Sequence, residues 1–100
     1  MAEGDWDFIV IGAGSAGCAL ANRLSADPKN RVLLLEAGPR DRNIWIHIPV
    51  GYYKTMYSPL SWGYDTEPEP ALDNRRIHWP RGKVLGGSSA INGLVYMRGQ

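Results

Sequence analysis

Three glycines near the beginning of the sequence restrict its fold more than any other feature. They have the spacing G-x-G-x-x-G in the segment Gly12-Ala13-Gly14-Ser15-Ala16-Gly17. The run from Asp7 to Ile11 before them is short, apolar and rich in β-branched side chains, so it predicts a buried parallel strand. The segment from Ser15 to about Ala26 predicts a helix, because apolar residues recur at every fourth position at Ala16, Leu20 and Leu24.

A second strand is expected from Arg31 to Glu36, a continuous apolar run that ends just before Gly38-Pro39. Strand, helix and strand within about thirty residues make one βαβ unit with parallel strands and a right-handed crossover. Two parallel strands do not form a stable sheet alone, and we find no further strand of this kind after residue 36. We therefore expect an α/β, Rossmann-like fold with a parallel sheet, of which only the first βαβ unit is present.

Each glycine has a task in binding a dinucleotide. Gly12 permits the tight turn, Gly14 lets a pyrophosphate approach the backbone, and Gly17 lets the helix pack against the strand. The free N–H groups and the dipole of the helix N-terminus would then face the phosphates. Glu36 ends the second strand nineteen residues after Gly17, where its carboxylate can accept hydrogen bonds from ribose hydroxyls. A carboxylate there disfavours NADP, because it would lie close to the ribose phosphate.

Beyond Pro39 the regular pattern fades into aromatic residues among polar and proline-rich pieces. The run from Gly63 to Glu67 is a candidate edge strand, and Ile77 to Trp79 is a candidate partner across a turn at Asp73-Asn74. The aromatic stretch from Trp45 to Tyr64 is explained by core packing as well as by a binding role, because aromatic side chains bury large areas wherever they lie. We include none of its residues in a candidate site.

The charge balance and the apolar runs weigh against several partner classes. A formal net charge of +1 gives no global reason to expect nucleic acid or an anionic membrane as a partner. The longest apolar run, Phe8 to Ala21, is too short to span a bilayer and contains three glycines. A local basic cluster is as compatible with a solvated loop as with an anion-facing patch; it comprises Arg75, Arg76, Arg81 and Lys83.

Cysteine and histidine usage argues against disulfide and metal chemistry. Cys18 is the only cysteine, which excludes an internal disulfide and fits a reducing compartment, so we expect a cytoplasmic protein. We expect Cys18 to be a packing residue rather than a nucleophile, because no histidine accompanies it in its segment. His47 and His78 lie far apart in the sequence, without further ligands at metal-binding spacing.

A second glycine-rich motif lies near the end of the sequence. Residues 80–99 have the sequence PRGKVLGGSSAINGLVYMRG, and this segment closely resembles the first signature of the glucose-methanol-choline oxidoreductases. The likeness extends to the G-x-G-x-x-G turn, to residues 34–39 (LLEAGP) and to Trp62-Gly63-Tyr64. The resemblance implies an FAD-dependent oxidoreductase that acts on the CH–OH group of an alcohol. Its partners would be a small-molecule alcohol and an electron acceptor.

The resemblance also implies which residues contact the cofactor. In the family, the loop that corresponds to Gly86-Gly87-Ser88-Ser89 runs beside the FAD pyrophosphate and the isoalloxazine. The cofactor-binding residues implied by both motifs are Gly12, Gly14, Ser15, Ala16, Gly17, Glu36, Ala37, Val84, Gly87, Ser88, Asn92, Gly93, Leu94 and Val95. Arg81 and Lys83 would balance cofactor charge, whereas Arg75 and Arg76 would face solvent.

Some members of the family attach FAD covalently through a histidine at the position of Ile91. Isoleucine cannot form that bond, so we expect dissociable FAD. In the family a histidine near the C-terminus of a much longer chain takes the hydroxyl proton, while hydride moves from the carbinol carbon to flavin N5. Neither His47 nor His78 matches that position. We therefore expect residues 1–100 to be the N-terminal part of an FAD-binding domain, without the substrate domain or a catalytic residue.

Two alternatives remain open from the sequence. An NAD-dependent Rossmann dehydrogenase would also satisfy the features of residues 1–40. A non-catalytic module that has kept the nucleotide-binding unit is the second alternative. The colour of the purified protein and its response to an alcohol separate these alternatives from a flavoenzyme.

Overall fold

The computed structural model describes residues 4–99 and begins with the predicted βαβ unit. Strand β1 (Phe8–Ile11), helix α1 (Ser15–Leu24) and strand β2 (Val32–Leu35) follow one another along the chain. The strands pair in parallel, with Phe8 opposite Val32 and Ile11 opposite Leu35. The predicted α/β class and the parallel pairing are confirmed, although each element is shorter than the sequence pattern indicates.

The prediction that β1 is buried is wrong for this chain. Val10 is the one buried residue of the strand, whereas Ile9 is 57% exposed and Ile11 is 85% exposed. Within residues 4–99, β1 pairs with β2 only. Helix α1 likewise contains no buried residue in its range 15–24, and Leu20 on its apolar face is 51% exposed. A strand is covered on both faces only when further elements pack on the sheet, so periodicity alone does not give its burial.

Short helices follow β2 where the sequence pattern predicts no regular structure. They are α2 (Ile44–His47), a 3-10 turn at Pro49–Gly51 and α3 (Tyr52–Thr55). Asn43 caps α2, since its side-chain oxygen accepts a hydrogen bond of 2.9 Å from the backbone N–H of Trp45. A single helical turn is too short to show a 3.6-residue period, which explains why these helices were not predicted.

Two short antiparallel strands confirm the predicted pairing between the 60s and the 70s of the sequence. Strand β3 (Tyr64–Asp65) pairs with strand β4 (His78–Trp79), so both strands are shorter than predicted. Asp73 and Asn74 have φ angles of 55° and 54° in the connection between them. This left-handed region is tolerated best by Gly, Asn and Asp, so the predicted turn is also confirmed.

The pairing continues beyond β3 and β4 in the same register. Ser61 bridges Gly82, and the N–H of Lys83 donates a 2.7 Å hydrogen bond to the carbonyl of Leu60. We call residues 60–83 the hairpin. Because side chains alternate between the two faces of a strand, one face carries Trp62, Tyr64, Trp79, Arg81 and Lys83, and the other carries Ser61, Asp65 and His78.

His78 joins the second face of the hairpin to the two residues that follow α3, Met56 and Tyr57. Its Nδ1 lies 3.0 Å from Asp65 Oδ1, its Nε2 lies 3.3 Å from the carbonyl oxygen of Met56, and its ring stacks on Tyr57 at 4.8 Å. Both polar partners are acceptors only, so the doubly protonated imidazolium satisfies both of them. The hydrogen bond to Asp65, and then that to Met56, raise the pKa of His78 above its ordinary value of 6.5.

Because of this contact, we expect the stability of the hairpin to depend on pH. A histidine whose pKa is higher in the folded state contributes stability that is complete below pH 6.5 and is lost as pH rises through the raised pKa. We expect an NMR titration of His78 in the complete protein to show a midpoint above 6.5, and Asp65→Asn to lower it. A midpoint at or below 6.5 in the unsubstituted protein would contradict the contact.

A small core holds the second glycine-rich motif in place. Leu60, Val84 and Ile91 are buried together, and Ile46 and Ala90 pack against them. This cluster joins the hairpin, α2 and a 3-10 helix at Gly87–Ile91. Among residues 4–99, no helix has the length and apolar character needed to cross a bilayer.

Candidate functional site

The three glycines of the first motif have three different environments. Gly12 has a φ of 93°, which turns the chain out of β1. A Cβ at Gly17 would overlap the carbonyl oxygen of Gly12, so this glycine lets α1 lie directly against the turn. A Cβ at Gly14 would have no described atom within 4 Å. The backbone at Gly14 is therefore open to a ligand, as the motif predicts.

Glu36 reaches the same turn from the end of β2. Its Oε2 accepts a 2.8 Å hydrogen bond from the N–H of Ala13, and its Oε1 accepts one of 2.9 Å from the N–H of Gly38. Because a carboxylate has about four acceptor sites, capacity remains for the hydroxyls of a ribose. Glu36 thus also fixes the turn through the backbone, a task that the sequence did not indicate.

The second glycine-rich motif docks directly on the first. The N–H of Gly86 donates a 2.8 Å hydrogen bond to the carbonyl of Ala13, and the Ser15 hydroxyl donates one of 3.1 Å to Ser89 Oγ. Gly87 lies so close that its Cβ would be 2.9 Å from the Cα of Gly14. Two segments that are 74 residues apart in sequence therefore form a single site.

A cavity of about 750 Å³ opens at the carboxyl ends of β1 and β2. This size is within the range of small-molecule and cofactor sites, and the carboxyl ends of parallel strands are where α/β folds bind ligands. Six predicted site residues lie in its wall. The lining residues are Ile11, Gly12, Gly14, Leu35, Glu36, Ala37, Trp62, Tyr64, Arg81, Gly82, Gly87 and Ser88.

The remaining residues predicted from the second motif lie elsewhere. Asn92 and Leu94 line a cavity of about 290 Å³ together with Trp45 and Tyr52. Gly93 and Val95 line a neighbouring cavity of about 350 Å³ that Asn92 and Leu94 share. Since Gly87 and Ser88 line the 750 Å³ cavity while Gly86 and Ser89 line the 290 Å³ cavity, the 86–89 loop separates the two.

Val84 requires a correction among the predicted cofactor contacts. It has no exposed surface, because its side chain packs between Leu60 and Ile91 in the core. A ligand therefore has no access to Val84 in this arrangement. Ser15 and Ala16 are exposed in the first turn of α1, where N–H groups lack partners within the helix.

Six residues of the 750 Å³ cavity were not among the predicted cofactor contacts, and three of them, Trp62, Tyr64 and Arg81, belong to one face of the hairpin. Arg81 was expected only to balance cofactor charge. The rings of Trp62 and Tyr64 are stacked with centroids 6.1 Å apart and planes at 1°. The signal that could have found all three is the hairpin register, which places them on one face. Arg75 and Arg76 are exposed, as predicted, and Arg76 makes only a 4.0 Å contact with Glu67.

Cys18 and His47 each contact a backbone carbonyl group. Cys18 is exposed rather than packed in a core, and its thiol donates to the carbonyl oxygen of Ala13 at 3.3 Å. His47 Nε2 lies 2.6 Å from the carbonyl oxygen of Asp41. In the part of the chain that the structure describes, no three His, Cys, Asp or Glu side chains group as metal ligands would.

Comparisons with known proteins show the family to which the chain is similar. Residues 6–100 match the family model described as GMC oxidoreductase. The chain is 59% identical over 95 residues to an alcohol dehydrogenase (acceptor) of Pseudomonas putida, covering 94% of this chain but only 17% of that relative.

Two solved structures extend the likeness to the fold. Pyridoxine 4-oxidase from Mesorbium loti superposes with a TM-score of 0.88 at 41% identity, over 95% of this chain and 19% of its own. An FAD-dependent oxidoreductase from Chaetomium thermophilum superposes with a TM-score of 0.71 at 36% identity, over 95% of this chain and 16% of its own.

Proposed function

The chain belongs to the GMC oxidoreductase family, and from this premise we propose that it forms the FAD-binding segment of an oxidoreductase that acts on alcohols. One observation carries the proposal: two glycine-rich motifs meet at one cavity, and the carboxylate of Glu36 reaches the turn of the first motif. The names of an alcohol dehydrogenase and an FAD-dependent oxidoreductase among the similar proteins support the substrate class and the cofactor.

The residues of the 750 Å³ cavity fit the nucleotide half of FAD. Glu36 offers acceptor capacity for ribose hydroxyls, and the backbone at Gly14 is open where a pyrophosphate would lie, with Gly87 beside it in the cavity wall. Arg81 adds a positive charge to the wall of the cavity, where it would offset phosphate charge. The stacked Trp62 and Tyr64 rings offer the apolar surface that an adenine ring favours.

The flavin end would lie past the 86–89 loop, toward the cavity lined by Asn92 and Leu94. When bound, FAD would supply the two-electron acceptor, taking at N5 the hydride that the carbinol carbon of the alcohol loses as its hydroxyl proton passes to a base. We assign that base to neither histidine, because His47 contacts the backbone of Asp41 and His78 contacts Asp65. A cytoplasmic location stays a prediction from the single cysteine.

The test is the colour and reactivity of the complete protein. We expect a yellow protein with flavin absorbance, which an added primary alcohol bleaches under anaerobic conditions as the alcohol is oxidised to its carbonyl compound. Bound NAD in place of flavin would favour a nicotinamide-dependent dehydrogenase. Flavin that no alcohol bleaches would favour a non-catalytic module.

Ile91 predicts that the flavin dissociates from the protein. Its side chain is 5% exposed and lies in the core cluster with Leu60 and Val84, and it has no nucleophilic atom. We expect heat or acid precipitation to leave all of the flavin in the supernatant, with the mass of the polypeptide unchanged. Flavin that stays with the precipitated chain would show that a different residue attaches it.

A further inference from the structure

The tryptophans that line the 750 Å³ cavity and the 290 Å³ cavity each carry a lysine ammonium over the ring. Lys83 Nζ lies 4.7 Å from the ring centroid of Trp62, which lines the 750 Å³ cavity. Lys54 Nζ lies 4.3 Å from that of Trp45, which lines the 290 Å³ cavity. Neither lysine is among the described residues that line these two cavities. The ammonium groups are therefore directed at the rings and not at the cavities.

The register of the hairpin brings Lys83 to Trp62. Trp62 lies opposite Arg81, since its N–H donates a 2.9 Å hydrogen bond to the Arg81 carbonyl, and Lys83 is the next residue on the same face. Such diagonal neighbours in an antiparallel pair are about 7–8 Å apart, within reach of a long side chain. The register therefore brings the Lys83 ammonium within reach of the Trp62 indole.

We propose that Lys83 is a positioning residue for FAD, which holds the indole of Trp62 against the nucleotide cavity without contacting the phosphates itself. This inference rests on the proposed function. It differs from the sequence-based expectation that both Arg81 and Lys83 balance cofactor charge, because only Arg81 lines the cavity. An ammonium over an indole face is attracted by the ring quadrupole. A ring held in this way loses less freedom when a ligand binds, which favours binding.

A double-mutant cycle on the apo form of the complete protein tests the proposal, with the dissociation constant of FAD as the readout. We expect Lys83→Met to weaken binding about twofold to fivefold, the effect of one exposed cation–π contact. In a Trp62→Leu background the same change should have no effect. Lys83→Arg should restore binding, because a guanidinium also pairs with an indole. Arg81→Met is the control and should weaken binding equally in both backgrounds.

An equal loss on Lys83→Met in both backgrounds would mean that Lys83 contacts the cofactor directly, and no loss in either would mean that it has no role; each result overturns the proposal. If Trp62→Leu abolishes flavin binding, Trp62→Phe serves as the background variant instead. Lys83→Met must then weaken FAD binding less in the Trp62→Phe background than in the unsubstituted protein, because phenylalanine has the weaker cation–π interaction. An unsubstituted protein without affinity for FAD refutes the proposed function itself, a result distinct from any difference among variants.

Discussion

Substitution of Gly17 by alanine is expected to unfold the first βαβ unit and abolish cofactor binding. The added Cβ would overlap the carbonyl oxygen of Gly12 and would lie 3.5 Å from Val10 Cγ1. The obstacle is backbone, so α1 must move away from β1, and we expect a cost of about 3 kcal/mol. The measurement is the thermal unfolding midpoint of the apo form of the complete protein, followed by a flavin-binding titration.

Gly14→Ala is the matched control in the same motif. Its Cβ would point into open space, with no described atom within 4 Å, and Gly14 already has a φ of −79° that alanine adopts readily. We therefore expect the apo form to unfold within about 0.5 kcal/mol of the unsubstituted protein. FAD affinity should nevertheless fall at least about tenfold, because the methyl group occupies the approach of the pyrophosphate. Equal stability of both variants would refute the assigned roles of the two glycines.

Removal of the Glu36 carboxylate is expected to weaken both the turn and the cofactor site. Glu36→Ala leaves the N–H groups of Ala13 and Gly38 without their acceptor. Hydrogen bonds to charged groups contribute about 1.5–3 kcal/mol each, and the partial exposure of the site reduces this, so we expect a loss of about 2 kcal/mol in the apo form. The affinity for FAD should fall at least about tenfold as the ribose contacts are also lost.

Glu36→Gln separates the two roles of this residue. Glutamine keeps one acceptor oxygen but presents an NH₂ donor to the second backbone N–H. The stability and the FAD affinity of the Glu36→Gln variant should therefore lie between those of the Glu36→Ala variant and those of the unsubstituted protein. Glu67→Gln is the control, since this exposed carboxylate has only a 4.0 Å contact with Arg76 and should change neither quantity. If Glu36→Gln behaves like Glu67→Gln, the carboxylate does not fix the turn.

Local patterns were enough to predict the elements that carry the first motif. A short apolar run, a glycine turn and an apolar period of four residues predict β1, the turn and α1, because each depends on neighbours in sequence. The turn at Asp73-Asn74 was predicted for the same reason: these residue types tolerate positive φ without help from the rest of the fold.

What the sequence could not reveal depends on distant contacts. The placement of Trp62 and Arg81 in the cavity wall requires the register of the hairpin, and that register is set by pairing across about twenty residues. Val84 was assigned to the cofactor because residues 80–99 resemble the family signature, yet its side chain is buried in the core. The exposure of β1 likewise depends on which elements pack on the sheet, and no pattern within its four residues encodes that.

The 86–89 loop forms part of the wall of two cavities, the 290 Å³ cavity and the 750 Å³ cavity. Both of its ends are anchored to the first motif: the N–H of Gly86 donates to the carbonyl of Ala13, and the Ser15 hydroxyl donates to Ser89 Oγ at 3.1 Å. A displacement that enlarges one compartment must narrow the other. The cavity proposed for the nucleotide and the cavity proposed for the flavin therefore share one wall, and we expect a substitution in this loop to affect both.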